Sequence, residues 1–314
     1  MQNKTGQILK YTVSLAVAAV LLYFSFKEVE WKDFIAVLKE CRWGFVILAM
    51  VAGVGGAFFR GARWRLLLLP LDSDTKASTC FNAVNISRLA DFVVPHSCEL
   101  VRCGFVTTKK ASFDKALGTV VLERAWDIVT LLGLIILLLA FKWNMFGTFF
   151  TEKIWAPVTG QINFSLWWVV VLLVAALALL LVVPAVRKFV KGILNGASSC
   201  LRMEHKGLFV LYTVLLWTMF LLMSLTIIWA LPQSYGLTIV DAFFIMLVGC
   251  VASIVPVPGG FGAFHYIVAL ALSSIYGIPF EMGIVFATLS HEAQAVMMLL
   301  AGGYSYAHES IKRR

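Results

Sequence analysis

Ionisable side chains occur within stretches of the sequence that are otherwise apolar enough for a membrane interior. One set contains three arginines and three acids: Arg88, Glu99, Arg102, Glu123, Arg124 and Asp127. A guanidinium group binds phosphate oxygens through two parallel hydrogen bonds, and a carboxylate binds the guanidinium group in the same way. The set therefore has the chemistry of an anion site whose arginines are oriented by carboxylates.

The spacing of these residues predicts that several of them share helix faces. Glu99 and Arg102 are three residues apart, and Glu123 and Asp127 are four apart, so each pair lies on one face of a helix. A charged side chain inside a bilayer costs about 2.5–3.5 kcal/mol on insertion scales, so it normally faces a partner or water. Two interpretations stay open: ion pairs that only fix the segment, or a pocket for a lipid phosphate that also includes Asn85.

A second interruption contains the run Pro-Val-Pro-Gly-Gly-Phe-Gly at residues 256–262. Proline lacks an amide donor, and non-helical backbone at membrane depth persists only against protein or a polar cavity. Gly259, Gly260 and Gly262 either permit close helix packing or open a half-helix whose free N–H groups receive an anion. The two prolines directly before them favour the half-helix.

Further polar side chains flank the two interruptions and are candidates for a polar lining or a proton relay: His96, His265, His291 and Glu292. The adjacent His291 and Glu292 suggest a metal site. However, the residues after Glu292 lack the second histidine of a zinc-protease helix, so no metal is predicted. An interhelical hydrogen bond is the alternative for His291.

The composition is that of an integral membrane protein. Of the 314 residues, 61% are hydrophobic and 14% are charged, and the mean hydropathy is +0.88. The net charge of +9 comes from basic residues between apolar segments, so a nucleic-acid partner is not expected. The six cysteines form no close pair of metal-binding or redox type.

Six segments are long enough to cross about 30 Å of hydrocarbon: 8–26, 43–59, 113–140, 164–183, 207–231 and 281–303. The interrupted stretches 77–106 and 242–277 are too long for one crossing, and each is predicted to be a re-entrant helical pair. Eight complete spans are the alternative. The predicted fold class is an all-α polytopic transmembrane helical bundle with two broken or re-entrant segments.

The order of span, span, re-entrant pair and span occurs twice, which predicts an inverted repeat within one domain of residues 1–314. The two halves are residues 1–140 and 160–305. Most of the 26 Lys and Arg residues lie on one side of this topology, so both termini are predicted to be cytoplasmic. Arg60, Arg63 and Arg65 follow the second span and are expected to extend toward the lipid headgroups.

Four motifs occur in order along the chain: Arg60-Gly-Ala-Arg63-Trp64-Arg65, Asn85 through Pro95 to Glu99-Leu-Val-Arg102, Glu123-Arg124-x-x-Asp127, and Pro258-Gly259-Gly260-Phe261-Gly262. Together they resemble the lysylphosphatidylglycerol synthase transmembrane-region family, also called the flippase-like domain. Two positions depart from the family pattern. Cys98 replaces the glycine before the first glutamate, and the acidic residue that often follows the glycine motif is replaced around His265.

The resemblance implies a multi-pass protein of the bacterial inner membrane that binds a lipid headgroup and helps to move it between leaflets. In known relatives a soluble aminoacyl-transfer domain follows, and because this chain stops at Arg314 that enzymatic activity is not expected. We therefore expect a lipid flippase or lipid transporter without a cofactor. Its expected partners are anionic or phosphate-bearing membrane lipids, a second copy of the chain, or a lipid-modifying enzyme.

Two alternatives to a flippase remain open at this point. One is an intramembrane enzyme that acts on a lipid phosphate, with the three histidines and Glu292 as its acid and base candidates. The other is a non-catalytic membrane subunit of a lipid synthase. An enzyme would release a chemically altered lipid, whereas a flippase returns its substrate unchanged.

Overall fold

The computed structural model describes residues 31–93, 97–156, 184–254 and 262–312. Within these ranges the chain forms ten α-helices and no strand, so the predicted all-α class is confirmed. The helices are α1 (Trp31–Glu40), α2 (Trp43–Leu68), α3 (Ala77–Val93), α4 (Cys98–Val106), α5 (Phe113–Thr148), α6 (Pro184–Ser198), α7 (Lys206–Ala230), α8 (Ile239–Ala252), α9 (Ala263–Tyr276) and α10 (Phe280–Lys312). The predicted spans 8–26 and 164–183 lie outside the described residues, as do His96, Gly259 and Gly260.

Four of the described helices are long and apolar enough to cross a membrane: α2, α5 with its π-helical continuation, α7 and α10. They begin where the predicted spans begin. The α5 helix departs from helical geometry at Lys142, close to the predicted end of its span at residue 140. The α2 helix runs nine residues beyond its predicted end at residue 59, because Trp64 and Leu66 to Leu68 bury their side chains and continue the packed face.

The remaining helices of the bundle core are short. Both α8 and α9 have 14 residues, a length of about 21 Å, and neither reaches across about 30 Å of hydrocarbon. The α3 helix has 17 residues and α4 has 9. The order of a long helix, two short helices and a long helix therefore occurs twice, in α2 to α5 and again in α7 to α10.

Each pair of short helices begins and ends at the same end of the bundle. The hydroxyl group of Thr108, after α4, donates a 2.8 Å hydrogen bond to Asp72, before α3, and this bond lowers the pKa of Asp72. Likewise, the hydroxyl group of Tyr276 at the end of α9 donates a 2.9 Å hydrogen bond to Asp241 at the start of α8. In each pair, a side-chain hydrogen bond therefore joins the start of the first short helix to the end of the second.

The two pairs open toward opposite ends of the bundle. The long helices α2 and α7 are antiparallel neighbours, since the amide of Arg42 at the start of α2 donates to the carbonyl of Ala230 at the end of α7. The α3–α4 pair follows the far end of α2. The α8–α9 pair follows the near end of α7, with eight residues between Ala230 and the start of α8. Asn82 of α3 donates a 2.7 Å hydrogen bond to Glu309 and so places the end of α10 beside the start of α3.

Close packing of α9 on α10 depends on Gly283. A Cβ atom at this position would lie 2.7 Å from the Cα atom of Ala269, which is far inside a van der Waals contact. Because the obstacle is backbone, the two helices must separate to admit a side chain. Gly303, on the same helix, has no atom within 4 Å of its own Cβ position.

We therefore expect Gly283→Ala to lower the free energy of unfolding by about 1–3 kcal/mol, the usual cost of overpacking. Gly303→Ala should be neutral or stabilising by up to about 1 kcal/mol, since alanine favours the helix. The measurement is the thermal unfolding midpoint of each purified variant in the same detergent. Equal midpoints for the two variants would contradict this account of the contact between α9 and α10.

Candidate functional site

A cluster of seven charged side chains fills the space between α2, α4 and α5. We call this set the charge cluster: Arg60, Arg63, Glu99, Arg102, Glu123, Arg124 and Asp127. The sequence predicted five of these residues to lie together, and the structure brings those five together. The other two, Arg60 and Arg63, were not predicted as members.

The two arginines of α2 face the two acids of α5. Nη2 of Arg63 lies 2.6 Å from Oδ1 of Asp127 and 3.1 Å from Oε1 of Glu123. Nη1 of Arg60 lies 3.0 Å from Oδ2 of Asp127. The prediction that Arg60 and Arg63 extend toward headgroups is wrong, because their side chains are only 10% and 0% exposed. The α2 helix continues past residue 59, and carboxylates on the neighbouring helix bind both guanidinium groups.

Arg102 joins α4 to the other two helices. Its guanidinium group lies 2.8 Å from Glu99 of the same helix and 2.8 Å from Glu123 of α5. It also stacks on the ring of Trp64, with 4.8 Å between Cζ and the ring centroid. The indole N–H of Trp64 in turn donates a 3.0 Å hydrogen bond to Thr119. Arg102 therefore pairs with two carboxylates and stacks on one indole ring.

Arg124 is the accessible cation of the cluster. Its Nε atom donates a 2.6 Å hydrogen bond to Glu99, and its Nη1 atom lies 3.8 Å from Asp127. Unlike Arg63 and Arg102, it keeps 43% of its side chain exposed. Glu99 is also partly exposed, at 29%. This pair forms the open edge of the charge cluster.

The positive charges of the cluster exceed the negative charges by one, because four arginines face three carboxylates. Within the described residues, the Nε atoms of Arg60 and Arg63 are buried without a hydrogen-bond partner. Arg88 adds a further cation within electrostatic range of Arg60, Arg102 and Arg124. The arrangement can therefore accept an additional anion, which would offset the cost of burying the unmatched charge.

A cavity of about 440 Å³ begins at the charge cluster. Arg60, Arg124 and Asp127 form its polar end, and Arg102 does not line it. Its walls come from α5, α7, α8, α9 and α10 and are mainly apolar: Leu131, Trp217, Phe220, Met223, Ile245 and Phe264. A concave apolar pocket with a few convergent polar groups is the usual form of a small-molecule site.

The other predicted headgroup residues have different positions. The side-chain amide of Asn85 donates a 3.3 Å hydrogen bond to the hydroxyl group of Ser305 and thereby joins α3 to α10. Arg88 forms no ion pair with any residue that the structure describes. Gly262 has a φ of +82° directly before α9, a backbone conformation that favours glycine.

The remaining candidates meet on α9 and α10, beside the cavity. The ring centroids of His265 and His291 are 5.1 Å apart, and Nδ1 of His291 lies 3.3 Å from Oε1 of Glu292. Phe264 and Ser290, their neighbours in sequence, both line the cavity. Of the predicted polar set, His265, His291 and Glu292 thus form one group, and none of them belongs to the ion pairs of the charge cluster.

The chain matches the family described as "Lysylphosphatidylglycerol synthase TM region" over residues 11–302. The match includes the whole charge cluster, the cavity walls and both pairs of short helices, so the resemblance found in the motifs is confirmed. A search of curated proteins and a search of solved structures each found no match.

Removing the charge of Glu123 tests the charge cluster as a structural unit. This carboxylate contacts three arginines at 2.8 to 3.6 Å, and its side chain is fully buried. We expect Glu123→Gln to lower the free energy of unfolding by about 3–5 kcal/mol, because it leaves buried cations without a counter-charge. The measurement is unfolding of the detergent-solubilised protein.

Glu152→Gln is the matched control, since Glu152 is exposed on the π-helical segment that continues α5. We expect this variant to unfold within about 0.5 kcal/mol of the wild type, as surface substitutions usually do. A Glu123→Gln protein as stable as this control would contradict the proposed role of the carboxylate.

Proposed function

Because the chain belongs to the lysylphosphatidylglycerol synthase TM region family, we propose that it is a lipid flippase or lipid transporter. In this proposal it binds an anionic, phosphate-bearing lipid headgroup in the cavity and moves the lipid between leaflets without changing it chemically. The observation that carries the proposal is the cavity of about 440 Å³ with a cationic end and apolar walls. A phospholipid has the same division between a charged head and apolar chains.

Arg124 and Arg60 are the residues proposed to bind the phosphate group, because both line the cavity. Guanidinium groups bind phosphate oxygens in pairs of charge-assisted hydrogen bonds. Glu99 holds Arg124 in the structure, so an incoming phosphate replaces that carboxylate. Since Arg63 and Arg102 are buried behind the cavity wall, they orient the carboxylates and do not contact the lipid.

The apolar wall is proposed to receive the proximal part of the acyl chains. Trp217, Phe220 and Met223 lie on one face of α7, and Ile245 and Phe264 line the opposing helices. Burial of apolar surface contributes about 25 cal/mol per Å², and this energy distinguishes a lipid from a free phosphate ion. The cavity therefore favours a ligand that has both parts.

Alternating access is supported by the two pairs of short helices. We propose that α3–α4 and α8–α9 are re-entrant pairs that enter the membrane from opposite sides, as the closed loops at opposite ends of the bundle suggest. The end of α8 borders the cavity through Gly249, Cys250 and Ser253. A site between two such pairs is the arrangement found in carriers with inverted repeats.

We further propose that the protein resides in a bacterial inner membrane with both termini in the cytoplasm. The basic loop after α4, the start of α3 and the end of α10 lie at one end of the bundle, and the positive-inside rule assigns that end to the cytoplasm. We therefore expect green fluorescent protein fused after Arg314 to fluoresce in bacterial cells. An alkaline phosphatase fusion at the same position should be inactive, and the reverse pattern would contradict the orientation.

The flippase proposal is tested by lipid exchange in liposomes. Purified protein is reconstituted with a fluorescent anionic phospholipid, and exchange is followed by quenching the outer-leaflet label. We expect Arg124→Gln and Arg60→Gln each to slow exchange by about 10-fold to 100-fold. This range corresponds to the loss of a hydrogen bond to a charged group, about 1.5–3 kcal/mol.

Arg42→Gln is the control for this assay. Arg42 is an exposed arginine directly before the start of α2 that stacks on Tyr235, with 4.3 Å between Cζ and the ring centroid. Its replacement removes one guanidinium group without touching the cavity, so exchange should continue at the wild-type rate. Equal rates for Arg124→Gln, Arg60→Gln and Arg42→Gln would remove the proposed role of the cavity arginines.

An intramembrane enzyme is the second candidate function, favoured by the two histidines and Glu292 beside the cavity. Imidazole and carboxylate groups are the usual acids and bases of phosphate chemistry. Mass spectrometry of the lipids after exchange separates the two functions. Unchanged lipid masses support the flippase function. A new phosphate-containing product would instead support the enzyme and contradict the flippase.

A further inference from the structure

A second polar cluster lies on α9 and α10, apart from the charge cluster. We call it the His–Glu cluster; its members are His265, His291 and Glu292. One ligand atom from each residue lies within 4.8 Å of the other two. His265 is 1% exposed. It is the third residue of α9, three positions after Gly262, and its ring lies beside that of His291 on α10. Three side chains of metal-binding type therefore converge between two packed helices.

We propose that the His–Glu cluster binds one divalent transition-metal ion, and that zinc is the ion whose chemistry it matches best. Two imidazole nitrogens and one carboxylate oxygen are a recurrent zinc ligand set, with a fourth position left for water or another group. Imidazole ligands select transition metals over magnesium and calcium, which prefer oxygen ligands alone. The ligand types therefore specify the class of ion.

The spacing of the ligand atoms agrees with this class. Ligands about 2.0–2.1 Å from a tetrahedral zinc ion lie roughly 3.4 Å from one another. Nδ1 of His291 and Oε1 of Glu292 are 3.3 Å apart. All three ligand atoms lie within 4.8 Å of one another, so no pair is more than about 1.4 Å wider than the tetrahedral value.

The position of the cluster gives the ion a structural role. His265 lies near the start of α9, shortly after the Pro- and Gly-rich run, and His291 and Glu292 lie in the first half of α10. An ion bound to all three would therefore tie the beginning of α9 to α10 at the wall of the cavity, where Phe264 and Ser290 lie. The inference does not depend on lipid transport and can be tested without it.

Sequence spacing could not reveal this site. A zinc-protease helix carries two histidines four residues apart, and no histidine lies four residues from His291. Here the additional histidine comes from a different helix, 26 positions before His291. Only the packing of α9 on α10 brings it within reach.

Metal analysis of purified protein tests the proposal directly. The protein is purified through a tag without histidine, treated with a chelator, incubated with zinc chloride and separated from free metal. We expect inductively coupled plasma mass spectrometry to find one zinc ion per chain. Less than about one tenth of an equivalent in folded wild-type protein would overturn the proposal.

Variants then assign the bound ion to the cluster. His265→Ala, His291→Ala and Glu292→Gln should each weaken zinc binding by at least about tenfold, since each removes a ligand. His205→Ala, an exposed histidine before α7, should leave binding unchanged. Zinc that remains bound with wild-type affinity in all three cluster variants would overturn the assignment.

The thermal unfolding midpoint, measured with and without zinc, distinguishes a variant that has lost zinc binding from one that folds poorly. A ligand that binds only the folded state raises the unfolding midpoint, so zinc should raise the midpoint of the wild type and of His205→Ala. Glu292→Gln, which keeps the size of the side chain, should unfold at the same temperature with and without zinc. An equal zinc-dependent rise in Glu292→Gln would contradict the proposal.

Discussion

Burial of guanidinium groups between helices is the constraint on which the rest of the structure depends. A single unpaired charge in the interior of a membrane protein costs several kcal/mol, and each arginine of the charge cluster lies against a carboxylate. Glu123 and Asp127 bind the two arginines of α2, and Glu99 and Glu123 bind Arg102 of α4. The relative positions of three helices are therefore fixed by ion pairs, whereas apolar packing between membrane helices has little preference for one register.

The same constraint explains why a cavity begins at the charge cluster. Four arginines outnumber three acids, and the excess charge is placed at the edge, where Arg124 keeps part of its side chain exposed. The acids nearest the cavity hold the arginines in position and also compete with an incoming anion. The interior pairs of Arg63 and Arg102 supply rigidity, and the outer pair of Arg124 and Glu99 supplies an exchangeable contact.

Much of the fold follows from hydropathy and the turn residues. The segments starting at residues 43, 113, 207 and 281 are helical and long enough to cross a membrane, and the interrupted stretches each form two short helices. Helix ends were less predictable. The α2 helix continues to Leu68 because Arg60 and Arg63 meet acids on α5. A hydropathy profile does not include such a tertiary contact and counts the two arginines only as polar residues that end the span.

The sequence predicted which types of residue form the site. It did not predict which of those residues contact one another. The spacing identified Glu99 with Arg102 and Glu123 with Asp127, and those pairs are members of one cluster. Sequence spacing did not predict that Asn85 contacts Ser305 or that the rings of His265 and His291 meet, because these contacts join different helices. Arg60 and Arg63 are three residues apart, and Glu123 and Asp127 are four apart, so each pair lies on one face of its helix. This spacing could have predicted that the two pairs meet.

The most direct test of the account is an experimental structure of the protein in a bilayer nanodisc that contains an anionic phospholipid. We expect a lipid whose phosphate group lies within hydrogen-bond distance of Arg124 and Arg60, with its proximal acyl chain along Trp217 and Phe220. A cavity that holds only acyl chains, with Arg124 still bound to Glu99 and the phosphate at the membrane surface, would contradict it.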